Sequence, residues 1–206
     1  LWYRFNTLRG FKIVFNAGED ATICPGDSIL IGSSAQTNYI YQWNPSSSLS
    51  GSAIAQPFAS PDSATIYIVT VTDTLNLICP NSSADTILVS VFSLPVIQTG
   101  NDASVCTGDS LILGGNPTAP NGSIYSWSPS LYLDNASLPN PQSTPIADIT
   151  YILNVTDSNG CKQSDSVSVN VIQVQATISG SPTTDCINCN GQATVNPIGG
   201  IFPYSY

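Results

Sequence analysis

The tetrapeptide Gly108-Asp109-Ser110-Leu111 spells a serine-esterase signature. In such a site a serine hydroxyl attacks an acyl carbon once a neighbouring base, usually histidine, has taken its proton. The chain has 0 His. The same pattern recurs as Gly26-Asp27-Ser28-Ile29, and the two copies read together as a turn entering a strand, with Asp capping the turn. Catalysis is therefore not expected. Carboxylates gather at Glu19, Asp20 and Asp27, and again at Asp102 and Asp109. Calcium takes about 6–8 oxygen ligands and is found in loops between extracellular β-domains. No loop with alternating acidic residues is present, so Asp20, Asp27, Asp102 and Asp109 are weak calcium candidates beside the plainer reading as turn residues. No other metal or cofactor is expected.

Sulfur offers the remaining chemistry. Cys24 and Cys79 are separated by the same interval as Cys106 and Cys161. Equal intervals at matching positions argue for one disulfide inside each of two repeated domains, Cys24–Cys79 and Cys106–Cys161, against an alternative of four reduced, buried thiols. Cys186-Ile187-Asn188-Cys189 could be a redox motif or half of a zinc site. It lacks a second such pair and any histidine, so it is read as a local disulfide across a tight turn. Disulfides imply an oxidising compartment.

The elements that hold these residues come from an internal repeat. GEDATICPGDSILIG at 18–32 matches GNDASVCTGDSLILG at 100–114. Downstream, Tyr41-Gln42-Trp43-Asn44-Pro45 matches Tyr125-Ser126-Trp127-Ser128-Pro129, and Pro57 and Pro61 match Pro141 and Pro145. Tyr67 to Asp73 then matches Tyr151 to Asp157, and Asp85 to Val91 matches Asp165 to Val171. Each copy alternates apolar and polar residues over short runs rich in Val, Ile, Thr and Tyr, which predicts strands at Ser28–Ile31, Ile40–Trp43, Thr65–Thr72 and Thr86–Val91 in the first copy. Turn clusters separate them at Pro25–Asp27, Asn44–Gly51 and Pro57–Ser63. The fold class is all-β, with tandem immunoglobulin-like sandwiches each carrying one disulfide. Trp43 and Trp127 should fill the two cores, with Tyr67 and Tyr151 beside them. The expected organisation is an N-terminal segment at 1–17, the end of a preceding domain or a pairing strand, then domains at 18–93 and 98–173, and the incomplete start of a further repeat from 178 to 206.

Composition bounds the partners. The 206 residues carry 42% hydrophobic but only 8% charged residues, with a net charge of −9, a profile that suits a secreted β-protein. Arg4, Arg9, Lys12 and Lys162 are the basic residues, too few to neutralise a nucleic-acid backbone or dock on anionic lipid. No apolar run is long enough to span a bilayer as a helix. The abrupt start and the strand-like end at Tyr204-Ser205-Tyr206 are read as those of an internal segment of a longer protein.

The ordered pattern Cys-x-Gly-Asp-Ser, Tyr-x-Trp-x-Pro, Pro-x-x-x-Pro, Tyr-x-x-x-Val-Thr-Asp and Cys resembles the PKD-like, immunoglobulin-like repeats of giant surface adhesins from Bacteroidetes. It covers 18–92 and 100–172. The first copy departs at Thr74–Ile78, where the second has the turn Ser158-Asn159-Gly160. The tail from Asp185 to Val195, followed by Gly199 to Tyr206, resembles the opening of a SprB-type repeat of gliding-motility adhesins. The resemblance implies type IX secretion, display at the bacterial cell surface, and a role in adhesion or motility.

The expected function is thus a structural or adhesive spacer. Its partners are neighbouring repeats of the same chain, other copies in a fibre, and surface glycans or proteins, with no nucleic acid and no membrane insertion. One alternative is a carbohydrate-binding module of a secreted hydrolase, which needs Trp43 and Trp127 exposed. Another is a filament subunit in which Leu1–Phe15 pairs with a neighbouring copy. Asn81, Asn121, Asn135 and Asn154 open glycosylation sequons, and Asp62-Ser63-Ala64 and Asp85-Thr86-Ile87 resemble O-glycosylation sites; ordinary strand and loop roles account for them equally well.

Overall fold

A computed structural model describes residues 13–75, 81–181, 192–200 and 203. None of the described residues is helical. The chain divides into two compact units, Leu1–Leu94 and Pro95–Tyr206.

In the first unit, strands β1 (Ala21–Ile23), β2 (Ile29–Leu30), β3 (Tyr39–Asn44), β4 (Phe58–Ala59), β5 (Thr65–Asp73) and β6 (Ser82–Val91) form two sheets. One has the order β1-β6-β5-β3 and the other pairs β2 with β4. Alternation dictates which residues face inward. Tyr41 and Trp43 on β3, and Tyr67, Val69 and Val71 on β5, point into the core, while Ile66, Ile68 and Thr70 point out. Ile31, Ile87 and Val89 complete the packing. Ile13 and Ala17 are buried in the same cluster and Phe15 packs against it, with Phe15 meeting the Tyr41 ring at 5.1 Å between centroids. Residues assigned from sequence to a lead-in segment therefore help to build this core. β1 lies before the Gly-Asp turn and outside the strand ranges predicted above, and β4 falls inside a predicted turn cluster. Both are too short to show a period.

The second unit repeats this plan. β7 (Ala103–Cys106), β8 (Leu111–Ile112), β9 (Ile124–Ser128), β10 (Gln142–Ser143), β11 (Ile149–Thr156) and β12 (Lys162–Ile172) give a β7-β12-β11-β9 sheet and a β8–β10 pair. Trp127, Tyr151, Leu153, Val155, Val167 and Val169 form its core with Leu113 and Ala119. Beyond it, β13 (Gln175–Ser181) and β14 (Gln192–Ile198) make an antiparallel hairpin.

One feature of register positions the cysteines. The first strand of each repeat pairs in parallel with the last: Ile23 lies opposite Val91 and Cys106 opposite Ile172. The hairpin joining the two long central strands turns at the other end, where Thr156 faces Lys162.

Candidate functional site

The two tryptophans are internal. Trp43 is 0% exposed and Trp127 2%. Their indole N–H groups donate to Ile54 O at 2.9 Å and Leu138 O at 3.1 Å, so burial leaves no polar atom unsatisfied. A carbohydrate-binding surface built on these rings has no platform here, which removes that alternative's main requirement. Tyr67 shares a 2.6 Å hydrogen bond with Ser48 Oγ. Tyr151 donates to Leu131 O at 2.9 Å and lies 2.8 Å from Ser143 Oγ. Burial, the largest effect, raises the Tyr151 phenol above its ordinary value of 10.0, partly opposed by the Ser143 hydrogen bond.

The carboxylates act on backbone. Asp20 Oδ1 accepts from Leu88 N–H at 2.9 Å, and Asp102 Oδ1 accepts from Ser168 N–H at 2.8 Å. In each repeat an Asp just before the first strand thus caps an amide of the last strand. Asp85 Oδ2 accepts from Ala17 N–H at 2.8 Å, and the equivalent Asp165 Oδ2 accepts from Thr99 Oγ1 at 2.9 Å. Sequence reading gave Asp85 and Asp165 no such role, though their recurrence at repeat-equivalent positions was a usable signal. Asp27 and Asp109 close the Gly-Asp-Ser turns, their N–H groups donating to Cys24 O at 3.1 Å and Cys106 O at 3.0 Å. Ser110 Oγ accepts from Gln142 Nε2 at 2.7 Å. Among the described residues, no group of three or more His, Cys, Asp or Glu is arranged to hold a metal ion.

The cysteines correct one of the expected pairings. Cys24 and Cys161 are both disulfide-bonded. Cys106 is a free, exposed thiol. The predicted Cys106–Cys161 bond does not form, and register explains why. Cys106 sits opposite Ile172 at the end of β12, whereas Cys161 precedes Lys162 at its start. Eleven residue steps, from 161 to 172, separate them by about 36 Å, and a disulfide needs Cα atoms within about 7 Å. Cys79, Cys186 and Cys189 lie outside the described residues, as do the predicted Cys24–Cys79 bond and the expected local disulfide across Cys186–Cys189.

Each bonded cysteine is held by a local turn. Cys24 follows β1 and opens the turn Pro25-Gly26-Asp27, in which Gly26 takes φ 85°, the left-handed value that the third residue of a type II turn demands. Cys161 is 0% exposed and closes a tight loop. Asp157 Oδ1 accepts from Asn159 N–H at 2.9 Å and Cys161 N–H at 2.8 Å, while Asp157 N–H donates to Cys161 O at 2.9 Å.

No protein-family profile and no curated protein matches the chain. Among solved structures it is similar to the eight N-terminal Ig domains of Down Syndrome Cell Adhesion Molecule, at 14% identity and TM-score 0.40, covering 92% of this chain and 32% of that one. An I-band fragment of titin matches at 11% identity and TM-score 0.34, covering 87% and 74%. Fibronectin(III)-like modules of Clostridium thermocellum CbhA match at 14% identity and TM-score 0.34, covering 75% and 90%. The chain spans about a third of the first of these structures.

Proposed function

We propose that the chain is a load-bearing spacer of a secreted bacterial surface adhesin. The observation that carries this reading is that the first and last strands of each repeat pair in parallel, so tension applied at the two ends of a repeat loads their backbone hydrogen bonds together, in shear. The buried tryptophans, Trp43 and Trp127, back those sheets with a packed core. Cys24 and Cys161 are disulfide-bonded, which supports an oxidising, extracellular setting. The resemblance of 18–92 and 100–172 to PKD-like adhesin repeats, and of the tail to a SprB-type repeat, supports the finer assignment to gliding-motility or adhesion proteins exported by type IX secretion. The named aromatic and aspartate side chains serve folding, and no catalytic role is assigned.

Single-molecule pulling tests the reading. Stretched by its ends in reductant, the chain should give two separate force peaks, one for each repeat. Extension without such peaks would show that the paired strands carry no load. Antibody labelling of intact cells tests surface display separately.

A further inference from the structure

The dipeptide Asn-Gly stands in two described turns of the second unit, and the fold holds the two differently. In Pro120-Asn121-Gly122-Ser123 the turn is closed by Ser123 N–H donating to Pro120 O at 3.3 Å, and Ser123 Oγ donates to the same oxygen at 2.7 Å. Gly122 takes φ 82°, so Asn121 and Gly122 are the second and third residues of a type II turn. The amide linking them is the central one and takes no part in closing the turn. Among the described residues, the Gly122 N–H has no acceptor. There is also room around it: a Cβ on Gly122 would meet only Ser158 Cβ, at 4.0 Å.

Asn159-Gly160 sits one residue later in its turn. There the Gly160 N–H itself closes the turn on Asp157 O at 3.1 Å. Asn159 N–H donates to Asp157 Oδ1 at 2.9 Å, and that oxygen also accepts from Cys161 N–H at 2.8 Å. Exposure does not separate the two pairs, since all four residues are exposed. Hydrogen bonding does.

We propose that Asn121 is a self-modification site, converting without an enzyme to aspartate and isoaspartate, while its turn protects Asn159. The Gly122 amide nitrogen, unhindered by any side chain of its own residue, attacks Asn121 Cγ. A C–N bond forms to close a five-membered succinimide, the bond from Cγ to the carboxamide nitrogen breaks, and ammonia leaves with the amide proton. Water then opens the ring. Cleavage of the new bond gives aspartate; cleavage of the original peptide bond routes the backbone through the side chain and gives isoaspartate, one methylene longer. Either product carries a negative charge where the carboxamide was neutral, and no oxidant or reductant is consumed. The chemistry is independent of whether the chain bears load.

The test follows both sites in one sample. The 206-residue chain is incubated in mildly alkaline buffer, digested, and mapped by mass spectrometry with a fragmentation that separates the two products. A parallel sample is held in guanidinium with reductant. Closing a ring at Asn159 requires the release of at least two hydrogen bonds, so in the folded protein Asn121 should convert at least about tenfold faster. In guanidinium, where both turns are gone, the two rates should converge. Asn121→Gln should leave that peptide unmodified, because the longer side chain would have to close a less favoured six-membered ring. Asn190-Gly191 lies outside the described residues and is resolved in its own peptide. An Asn121 that stays intact, a folded Asn159 that converts as fast, or a gap that persists unchanged in guanidinium overturns the proposal.

Discussion

Two glycines at equivalent places in the repeats permit a controlled measurement of how tightly each sandwich is closed. Gly32 and Gly114 follow β2 and β8 and adopt φ 86° and 88°. Their N–H groups donate to Ala17 O at 2.7 Å and Thr99 O at 2.9 Å. A Cβ on Gly32 would collide with the Ala55 carbonyl oxygen and lie 3.0 Å from Trp43 Cζ2. On Gly114 it would meet Pro139 O and Thr118 Oγ1, both at 2.6 Å. Gly26 and Gly108 are the controls, because their φ values are also left-handed yet a Cβ there has nothing within 4 Å. For Gly26→Ala the left-handed backbone costs about 1–2 kcal/mol, offset by about 0.4–1 kcal/mol from a stiffer unfolded chain, which nets to about 1 kcal/mol. Gly32→Ala carries the same balance plus an overpacking penalty of about 1–3 kcal/mol, and a backbone carbonyl cannot rotate out of the way as a side chain can. The difference should lower Tm by at least about 4 °C beyond the control, at about 4–8 °C per kcal/mol for a domain of this size. Gly114→Ala against Gly108→Ala repeats the comparison in the second unit. Thermal and urea unfolding followed by tryptophan fluorescence gives both values. Equal losses at Gly26 and Gly32 would refute the argument that close approach, and not φ alone, fixes these positions.

Other outcomes are equally direct. Because burial raises the Tyr151 phenol above 10.0, the unfolded chain ionises first, so the stability gained from the neutral form is complete below pH 10 and falls as pH rises beyond it; Tyr151→Phe should flatten that fall in urea titrations between pH 8 and 11, and an unchanged slope would reject the burial argument. Trp127→Ala should cost about 3–5 kcal/mol, whereas Trp127→Phe should cost less but leave Leu138 O without its indole donor, a loss of about 1–3 kcal/mol readable in the urea midpoint. Replacing Asp102 by Ala removes the acceptor of the Ser168 N–H and should lower stability by about 1 kcal/mol, seen as faster hydrogen exchange at Ser168.

What the sequence made legible follows from local periodicity. Trp43, Tyr67, Trp127 and Tyr151 stand in runs where polar and apolar residues alternate, so the inward face of β3, β5, β9 and β11 can be read without knowing their neighbours. β1 and β4 could not be found this way, since three-residue and two-residue strands show no period. The contribution of Ile13, Phe15 and Ala17 was equally hidden: they flank no turn signal, and only their packing against Tyr41 and Trp43 assigns them to the first core.

The cysteines mark where spacing stops being informative. Any tandem repeat with one cysteine near its first strand and one in a later hairpin shows equal intervals in every copy, whether the bonds close within repeats or between them. The equality of Cys24–Cys79 and Cys106–Cys161 therefore reports the period of the chain and carries no information about connectivity. The deciding fact is that the first strand runs parallel to the last, Cys106 opposite Ile172. Parallel pairing places that cysteine at the end of the last strand, while the hairpin that starts the same strand carries Cys161. A β-strand is inextensible, so the two ends of an 11-residue β12 stay about 33 Å apart however the loops adjust. A bond inside the repeat would require the first strand to run antiparallel to its neighbour, which would reverse the direction of the Gly-Asp-Ser turn and remove Asp102 from the Ser168 amide it caps. The absence of a Cys106–Cys161 bond is thus set by a contact between the two ends of the repeat in sequence.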